Sequence, residues 1–258
     1  MVEQINLIPM AGAGQRFLDA GYTTAKPLIP VDGEPMIAHA AGCLPAADRW
    51  IFVCRQEHID DYAIDRELKT MFDPADVISV AALTEGQACT CLLARDMIPA
   101  DACVTIGACD NAMTYDRNAY QSVMEEPGVD AIIWTFRQNP AVLQDPRMYG
   151  WVSVGADDTV TGVSVKIPIS DTPMNDHAVI GAFTFRRWAD FVRCSDTMIE
   201  ADRRIRNEFY VDEAMNLAVE LGLRVKVFEV DRYICWGTPQ DLDTYNYWAG
   251  YFRKTRNV

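Results

Sequence analysis

The feature that most constrains this chain is its start. Ile5-Asn-Leu-Ile8, a short apolar run, passes at once into Pro9-Met-Ala-Gly-Ala-Gly14. Such a run reads as a buried strand, and the glycines after it as a tight loop whose amides can come close to a ligand. Phosphate groups are often bound at this kind of junction. The pattern then alternates. Residues 36–43 read as a helix and 50–54 as a strand. Residues 59–72 read as one amphipathic helix, with Ile59, Tyr62, Ile64, Leu68 and Met71 on its apolar side, and 77–81, 87–96 and 101–106 follow as strand, helix and strand. Strands alternating with helices over roughly the first 110 residues predict a parallel sheet covered on both faces.

The second half breaks that rhythm. Residues 130–137, 149–154, 160–166 and 178–185 read as strands, several joined by short turns, which predicts a smaller antiparallel portion. Helices are expected at 188–199 and 211–221, a last strand at 224–230, and a terminal helix at 239–252 with Pro239 in its first turn. On that helix Leu242, Tyr245, Trp248, Ala249 and Phe252 recur at helical spacing, so the stripe is expected to face the core or, as the second reading, a partner in a homo-oligomer. No repeat, low-complexity tract or linker interrupts the sequence, and residues 1–258 read as one α/β domain.

Bulk charge narrows the partners. A formal net charge of -14 argues against nucleic acid, whose affinity comes from lysine and arginine displacing counterions. A small polyanion remains compatible, because a pocket needs only a few cations converging locally. The eight cysteines contain no CxxC pair, so no zinc spacing is present, and several lie inside apolar runs where a thiol acts as a small hydrophobe. Reduced thiols point to a cytoplasmic protein. No apolar stretch is long enough for a membrane span, and no basic, apolar leader opens the sequence.

Three groups carry chemistry on their own merits. Gly12 and Gly14 let loop amides approach phosphate oxygens, and Arg16 can make a bidentate contact with them. A dinucleotide fingerprint is not spelled, since its third glycine falls on Phe17. Lys26, followed by Pro27, adds an ammonium about ten residues on. Asp110 follows the apolar run 102–106, at the carboxyl end of a strand, where open α/β sheets place their ligands and where one or two carboxylates can hold Mg²⁺ against phosphate. A turn or helix-capping aspartate is the alternative reading, given Asn111 and Asp116 nearby.

The run Ile8-Pro-Met-Ala-Gly-Ala-Gly-Gln-Arg-Phe17, then Lys26-Pro-Leu-Ile-Pro30 and Gly33-Glu-Pro-Met36, resembles the signature of the sugar-nucleotidyltransferase (NTP-transferase) family. Thr84-Glu-Gly-Gln-Ala-Cys-Thr90, Ile106-Gly-Ala-Cys-Asp110-Asn111 and Trp236-Gly-Thr-Pro-Gln-Asp-Leu242 resemble its nucleobase loop, its magnesium strand end and its closing segment. The likeness runs from residue 5 to about 245, and is strongest to small bacterial members found with surface-polysaccharide genes and to cytidylyltransferases acting on phosphocholine, phosphonates or phosphorylated amino-acid amides. It implies a Rossmann-like, glycosyltransferase-A-type fold. It implies that Met10, Ala11, Gly12, Ala13, Gly14 and Gln15, with Thr84, Glu85, Gly86 and Gln87, bind the nucleotide. Arg16, Lys26, Asp110 and Lys166 would be catalytic, Lys166 on the acceptor's phosphate.

Two departures stand out. The family's usual aspartate two residues before Gly-Thr is Cys235 here, and the family's Glu-Lys-Pro reads Val165-Lys166-Ile167. Asp231 is the first substitute for the missing metal carboxylate, with Asp212-Glu213 behind it. His177 either lines the acceptor pocket or is structural. The expected activity is transfer of a nucleotidyl group from an NTP, CTP favoured, to a phosphate- or phosphonate-bearing small molecule, with Mg²⁺ as cofactor and loss of pyrophosphate. A metal-dependent glycosyltransferase is weakened because Ala112 breaks a D-x-D pattern. A non-catalytic NTP-binding module is the other alternative.

Overall fold

In the computed structural model, which describes residues 2–255, the parallel strands of the first half form where the alternation of apolar runs predicts them, and the helix expected at 87–96 ends at Leu92. Strands Gln4–Pro9, Arg49–Arg55, Ala75–Val80 and Cys103–Ile106 are parallel neighbours, with Gln4–Pro9 between Arg49–Arg55 and Cys103–Ile106. Side chains alternate across the strand, so Ile5 and Leu7 enter one core and Ile8 the other. Trp188–Glu200 and Val211–Glu220 cover the first face with Phe191, Met198, Ala214 and Met215.

The antiparallel portion is organised by one long strand, His177–Phe185. Its end pairs with Cys103–Ile106, its start with Gly150–Val154, and its other edge with Ala131–Phe136. Val160–Val165 adds to Gly150–Val154, and Val225–Glu229 runs parallel to Ala131–Phe136. The register of His177–Phe185 shifts between Val179 and Phe183, and Gly181 there has φ of 85°. A left-handed residue without Cβ accommodates that bulge and lets the backbone approach Ala108 and Asn111. Asn111 uses the proximity, donating from its buried amide to the Ile180 carbonyl at 2.9 Å.

Two expectations are corrected. Residues 59–72 are not one helix: Gln56–Tyr62 and Ile64–Met71 meet at Ala63, whose φ is 52°. Ile59 and Ile64 pack on the same core, yet five residues apart on a continuous helix they would point about 140° apart. The break brings both inward. The terminal helix Pro239–Thr255 buries Leu242 and packs Tyr245 on Trp236, but Trp248 and Phe252 are half or more exposed, beside Tyr247 and Tyr251. Its stripe is core only in the first two turns.

A small ribbon was not foreseen. Asn111–Thr114 pairs antiparallel with Arg232–Cys235, which brings the segment after residue 235 back to Asp110. Trp236 then donates its amide to the Asp110 carbonyl at 2.9 Å.

Candidate active site

Parallel strands send their following loops to one edge, and three loops meet there. The glycine loop follows Gln4–Pro9, Thr84–Gln87 lies beyond Ala75–Val80, and Asp110 lies beyond Cys103–Ile106. Met10 and Ala11 are buried where the first strand ends, and Met10 donates its amide to the Val53 carbonyl. Gly12, exposed, with the half-buried Ala13 and Gly14, forms the turn, and Gln15 starts the short helix Gln15–Asp19. Gly14 has φ of 63°, and a Cβ there would lie 3.3 Å from the Cβ of Lys26. The loop therefore rests on Lys26.

Lys26 is the hinge of the site. Its ammonium lies 2.5 Å from Asp110 Oδ2, donates to the Gly237 carbonyl at 3.3 Å, and stands 5.4 Å from the centre of the Phe17 ring. Residues 26, 110 and 237, remote in sequence, thus share one contact. Burial alone pushes the Asp110 carboxyl up and the Lys26 ammonium down. Their mutual charge and hydrogen bond, with Arg16 also acting on Asp110, reverse both: Asp110 titrates below the usual range and Lys26 above it. Arg16 is exposed, with no ion-pair partner among the described residues.

Gly237 owes its place to the helix behind it. Asp241 Oδ2 accepts from the Thr238 amide at 3.1 Å and the Thr238 hydroxyl at 2.6 Å, and the Asp241 amide donates back to that hydroxyl at 3.1 Å. This reciprocal cap starts the terminal helix and fixes the Gly-Thr-Pro segment above Lys26. The Cys235 thiol donates to Asp241 at 3.6 Å and accepts from the Gly237 amide at 3.3 Å. Burial first, then the nearby Asp110 charge, pushes it up to about 12, so it stays protonated where a carboxylate would be ionised.

Lys166 forms a second cationic centre. It follows Val160–Val165 with φ of 63°, donates to the Met148 carbonyl, and stands 5.5 Å from the Tyr210 ring centre. Burial lowers its pKa most; Asp212 opposes this, while Arg206 and Arg16 add to it. The Arg16 charge thus bears on both Asp110 and Lys166. Arg206 was missed in the sequence. It sits in a tight hairpin where Ile205 and Glu208 exchange backbone bonds at 2.9 and 3.0 Å, and both turn residues, Arg206 and Asn207, are left-handed. Left-handed non-glycine residues concentrate at functional sites, but a polar run such as Asp202-Arg-Arg-Ile-Arg-Asn207 gives no sign of one.

The loop Thr84 to Gln87 is tied down from the same region. Thr84 Oγ1 meets Thr90 Oγ1 at 2.5 Å, Gly86 has φ of 132°, and Glu85 pairs with Arg204 at 3.0 Å. Gln87 opens the helix Gln87–Leu92.

Asp231 is not brought to the site. It sits at the far end of the ribbon, its amide donating to Thr114, while Cys235 pairs with Asn111 beside Asp110. At ~3.3 Å per residue the ribbon carries it on the order of 13 Å away. Asp212 faces Lys166, and Glu213 pairs with Arg203 at 2.5 Å. The carboxylate beside Cys235 is that of Asp241, already committed to the helix cap. His177 is structural: its Nδ1 meets Thr135 Oγ1 at 2.9 Å inside the sheet.

Among the described residues no group of three or more histidine, cysteine or acidic side chains could hold a metal. The donor set at Asp110 is one part-exposed carboxylate, the protonated Cys235 thiol being no ligand for a hard cation. That fits Mg²⁺, which takes one or two carboxylates and completes its shell with phosphate oxygens and water. A cavity of about 730 Å³ lies at the amino ends of the strands, lined by Gln4, Cys103, Tyr115, Arg117 and Arg186. It faces away from the three loops, whose own cavity beside Gly12, Gly14, Lys26 and His58 is about 80 Å³.

Solved structures share the fold. A nucleoside-diphosphate-sugar pyrophosphorylase from Vibrio cholerae RC9 matches with a TM-score of 0.76 at 19% identity, over 93% of this chain and 98% of its own. The inositol-1-phosphate CTP transferase from T. maritima matches at 0.73 and 16%, over 95% and 94%. A UTP-bound UGPase from Acinetobacter baumannii matches at 0.71 and 15%, over 95% and 92%. No curated protein matches the sequence. The family model for nucleotidyl transferases matches residues 5–203, most of the chain, so the protein belongs to the nucleotidyl transferase family.

Proposed function

We propose that this nucleotidyltransferase couples an NTP, with CTP first in preference, to a small acceptor carrying a phosphate or phosphonate. The convergence of Gly14, Lys26, Asp110 and Gly237 on one contact is the observation that carries the reading.

In this scheme the amides of Gly12 to Gln15 and the Arg16 guanidinium hold the β- and γ-phosphates, and Thr84 to Gln87 hold the base. Lys166, aided by Arg206, holds the acceptor's anion. An oxygen of that anion attacks the α-phosphorus in line, the bond to the bridging α–β oxygen breaks, and pyrophosphate leaves with that oxygen. Lys26 leaves Asp110 for the α-phosphate, and Asp110 would be the residue that holds Mg²⁺. The ion supplies neutralisation of phosphate charge when bound. Bringing two anions together is the main barrier, so positioned cations suffice and no covalent enzyme intermediate is required.

The CTP preference rests on the sequence resemblance and on Cys235 at the aspartate position. The structural relatives bear names with CTP and with UTP, so the shared fold leaves the base to the loop 84–87. Eight free thiols suit a cytoplasmic enzyme. The Lys26–Asp110 pair also favours a second reading, an NTP-binding module in which Asp110 never releases its lysine.

One assay separates them: pyrophosphate release from CTP, UTP, dTTP and ATP with Mg²⁺, against a panel of sugar 1-phosphates, phosphocholine and 2-aminoethylphosphonate. Turnover with CTP and one acceptor is expected. Saturable CTP binding with no pyrophosphate from any acceptor would leave the binding module.

A further inference from the structure

The strap formed by residues 202–210 touches both halves of the site. Phe209, fully buried, donates its amide to the Glu85 carbonyl at 2.8 Å and accepts from the Ala88 amide at 3.0 Å. It is thereby clamped across the nucleobase loop on both sides. Gly86 is packed so closely that a Cβ would lie 2.5 Å from the Phe209 nitrogen. Arg204 adds a side-chain tie: its guanidinium lies 4.1 Å from the centre of the Phe209 ring, pairs with Glu85 at 3.0 Å, and donates to the Asn207 carbonyl at 3.5 Å.

The neighbours of these residues face the other way. Arg206, in its left-handed turn, acts on Lys166 by charge, and Tyr210 presents its ring to the Lys166 ammonium. Residues that hold the base loop therefore alternate along one short segment with residues that face the acceptor lysine. A shift of Glu85 or Gly86 must move Phe209, and Phe209 lies three residues from Arg206 and one from Tyr210.

We infer that this strap couples the two substrates: occupation of the nucleobase loop orders the strap and builds the acceptor's anion site, with Arg204 as the positioning residue. The inference rests on the reading of residues 84–87 as the nucleobase loop and of Lys166 as the acceptor lysine. Coupling is reciprocal, so the acceptor must tighten the nucleotide equally. Arg204 acts through Glu85 and Phe209.

Hydrogen exchange on the full chain tests it, with α,β-methylene-CTP and α,β-methylene-UTP as non-reacting probes. One probe is expected to slow exchange in residues 10–16 and 84–88 and also, by about fivefold or more, in residues 203–210. Slowing at 10–16 and 84–88 with 203–210 unchanged overturns the coupling and leaves the proposed function standing. No slowing at 10–16 with either probe overturns both. The variant Arg204→Gln should keep the slowing at 10–16 and lose it at 203–210. With the acceptor turned over by the wild type it should raise the acceptor KM about five- to tenfold while kcat stays within about twofold, and Arg204→Lys should recover part of the difference. A loss of kcat with both KM values rising together would mark Arg204 as a fold residue and overturn its positioning role.

Discussion

Two carboxylates stand near two lysines in this molecule, and they titrate in opposite directions. Asp110 and Lys26 touch at 2.5 Å, and each is held in its charged form. Asp212 and Lys166 feel each other's charge, yet the Lys166 ammonium is spent on the Met148 carbonyl, and both are pushed toward neutrality by burial. Burial is the leading influence on all four groups, so contact decides the outcome. The first pair is balanced, and the proposed reaction requires that it be parted. The second leaves a lysine short of negative charge, which an incoming phosphate would supply.

The largest expected effect comes from the balanced pair. Asp110→Asn should lower turnover by a factor of about 10² to 10³, equivalent to losing one preorganised electrostatic contact of ~3–4 kcal/mol, in a pyrophosphate-release assay. Turnover near wild type would remove Asp110 from the mechanism. Lys26→Met should cost about 2 kcal/mol of stability near neutral pH, between the values for surface and fully buried pairs, because it strands the carboxylate. Since the folded pKa of Asp110 lies below its unfolded value, the stability it contributes is present above about pH 4 and fades as pH falls through the folded value. The Lys26 contribution runs the other way, present below about pH 10.4 and lost as pH rises through its folded value. Melting curves of Lys26→Met and wild type should accordingly converge in acid.

The Asp212 site offers two smaller tests. A Cβ on Gly150 would lie 2.1 Å from Asp212 Oδ1, so Gly150→Ala should destabilise by about 1–2 kcal/mol, and adding Asp212→Ala should restore most of that loss. No rescue would mean that Val179, 3.1 Å from the same point, is the true obstacle. The smallest effect is that of Asp212→Asn. A raised folded pKa costs stability at pH above that value and nothing below the unfolded one, so the variant should melt with wild type near pH 4 and above it at pH 8. A lower melting temperature at pH 8 would show that Asp212 is held by Lys166 after all.

Most of the fold was legible because buried strands are short apolar runs and amphipathic helices keep their period, as Gln4–Pro9 and Val211–Glu220 do. Lys26 and Asp110 could be named because each follows a recognisable strand or loop. Asp231 was misplaced because closeness in sequence to Gly237 says nothing of a ribbon that carries it the other way. Arg206 escaped because its placement comes from a left-handed turn written in ordinary polar residues. Trp248 and Phe252 share a helical stripe with Leu242, and a stripe cannot tell core from surface once the helix outruns the body beneath it.

The bond from Lys26 to the Gly237 carbonyl joins positions 211 apart. During synthesis the sheet's first strands can pair long before residue 237 leaves the ribosome, so the glycine loop and Asp110 must wait with their roof missing. A chain halted before the cap at Thr238 and Asp241 would keep its early βα units yet leave the lysine and carboxylate open to water. The contact is thus completed only once residues 237–241 are in place, by the docking of one helix.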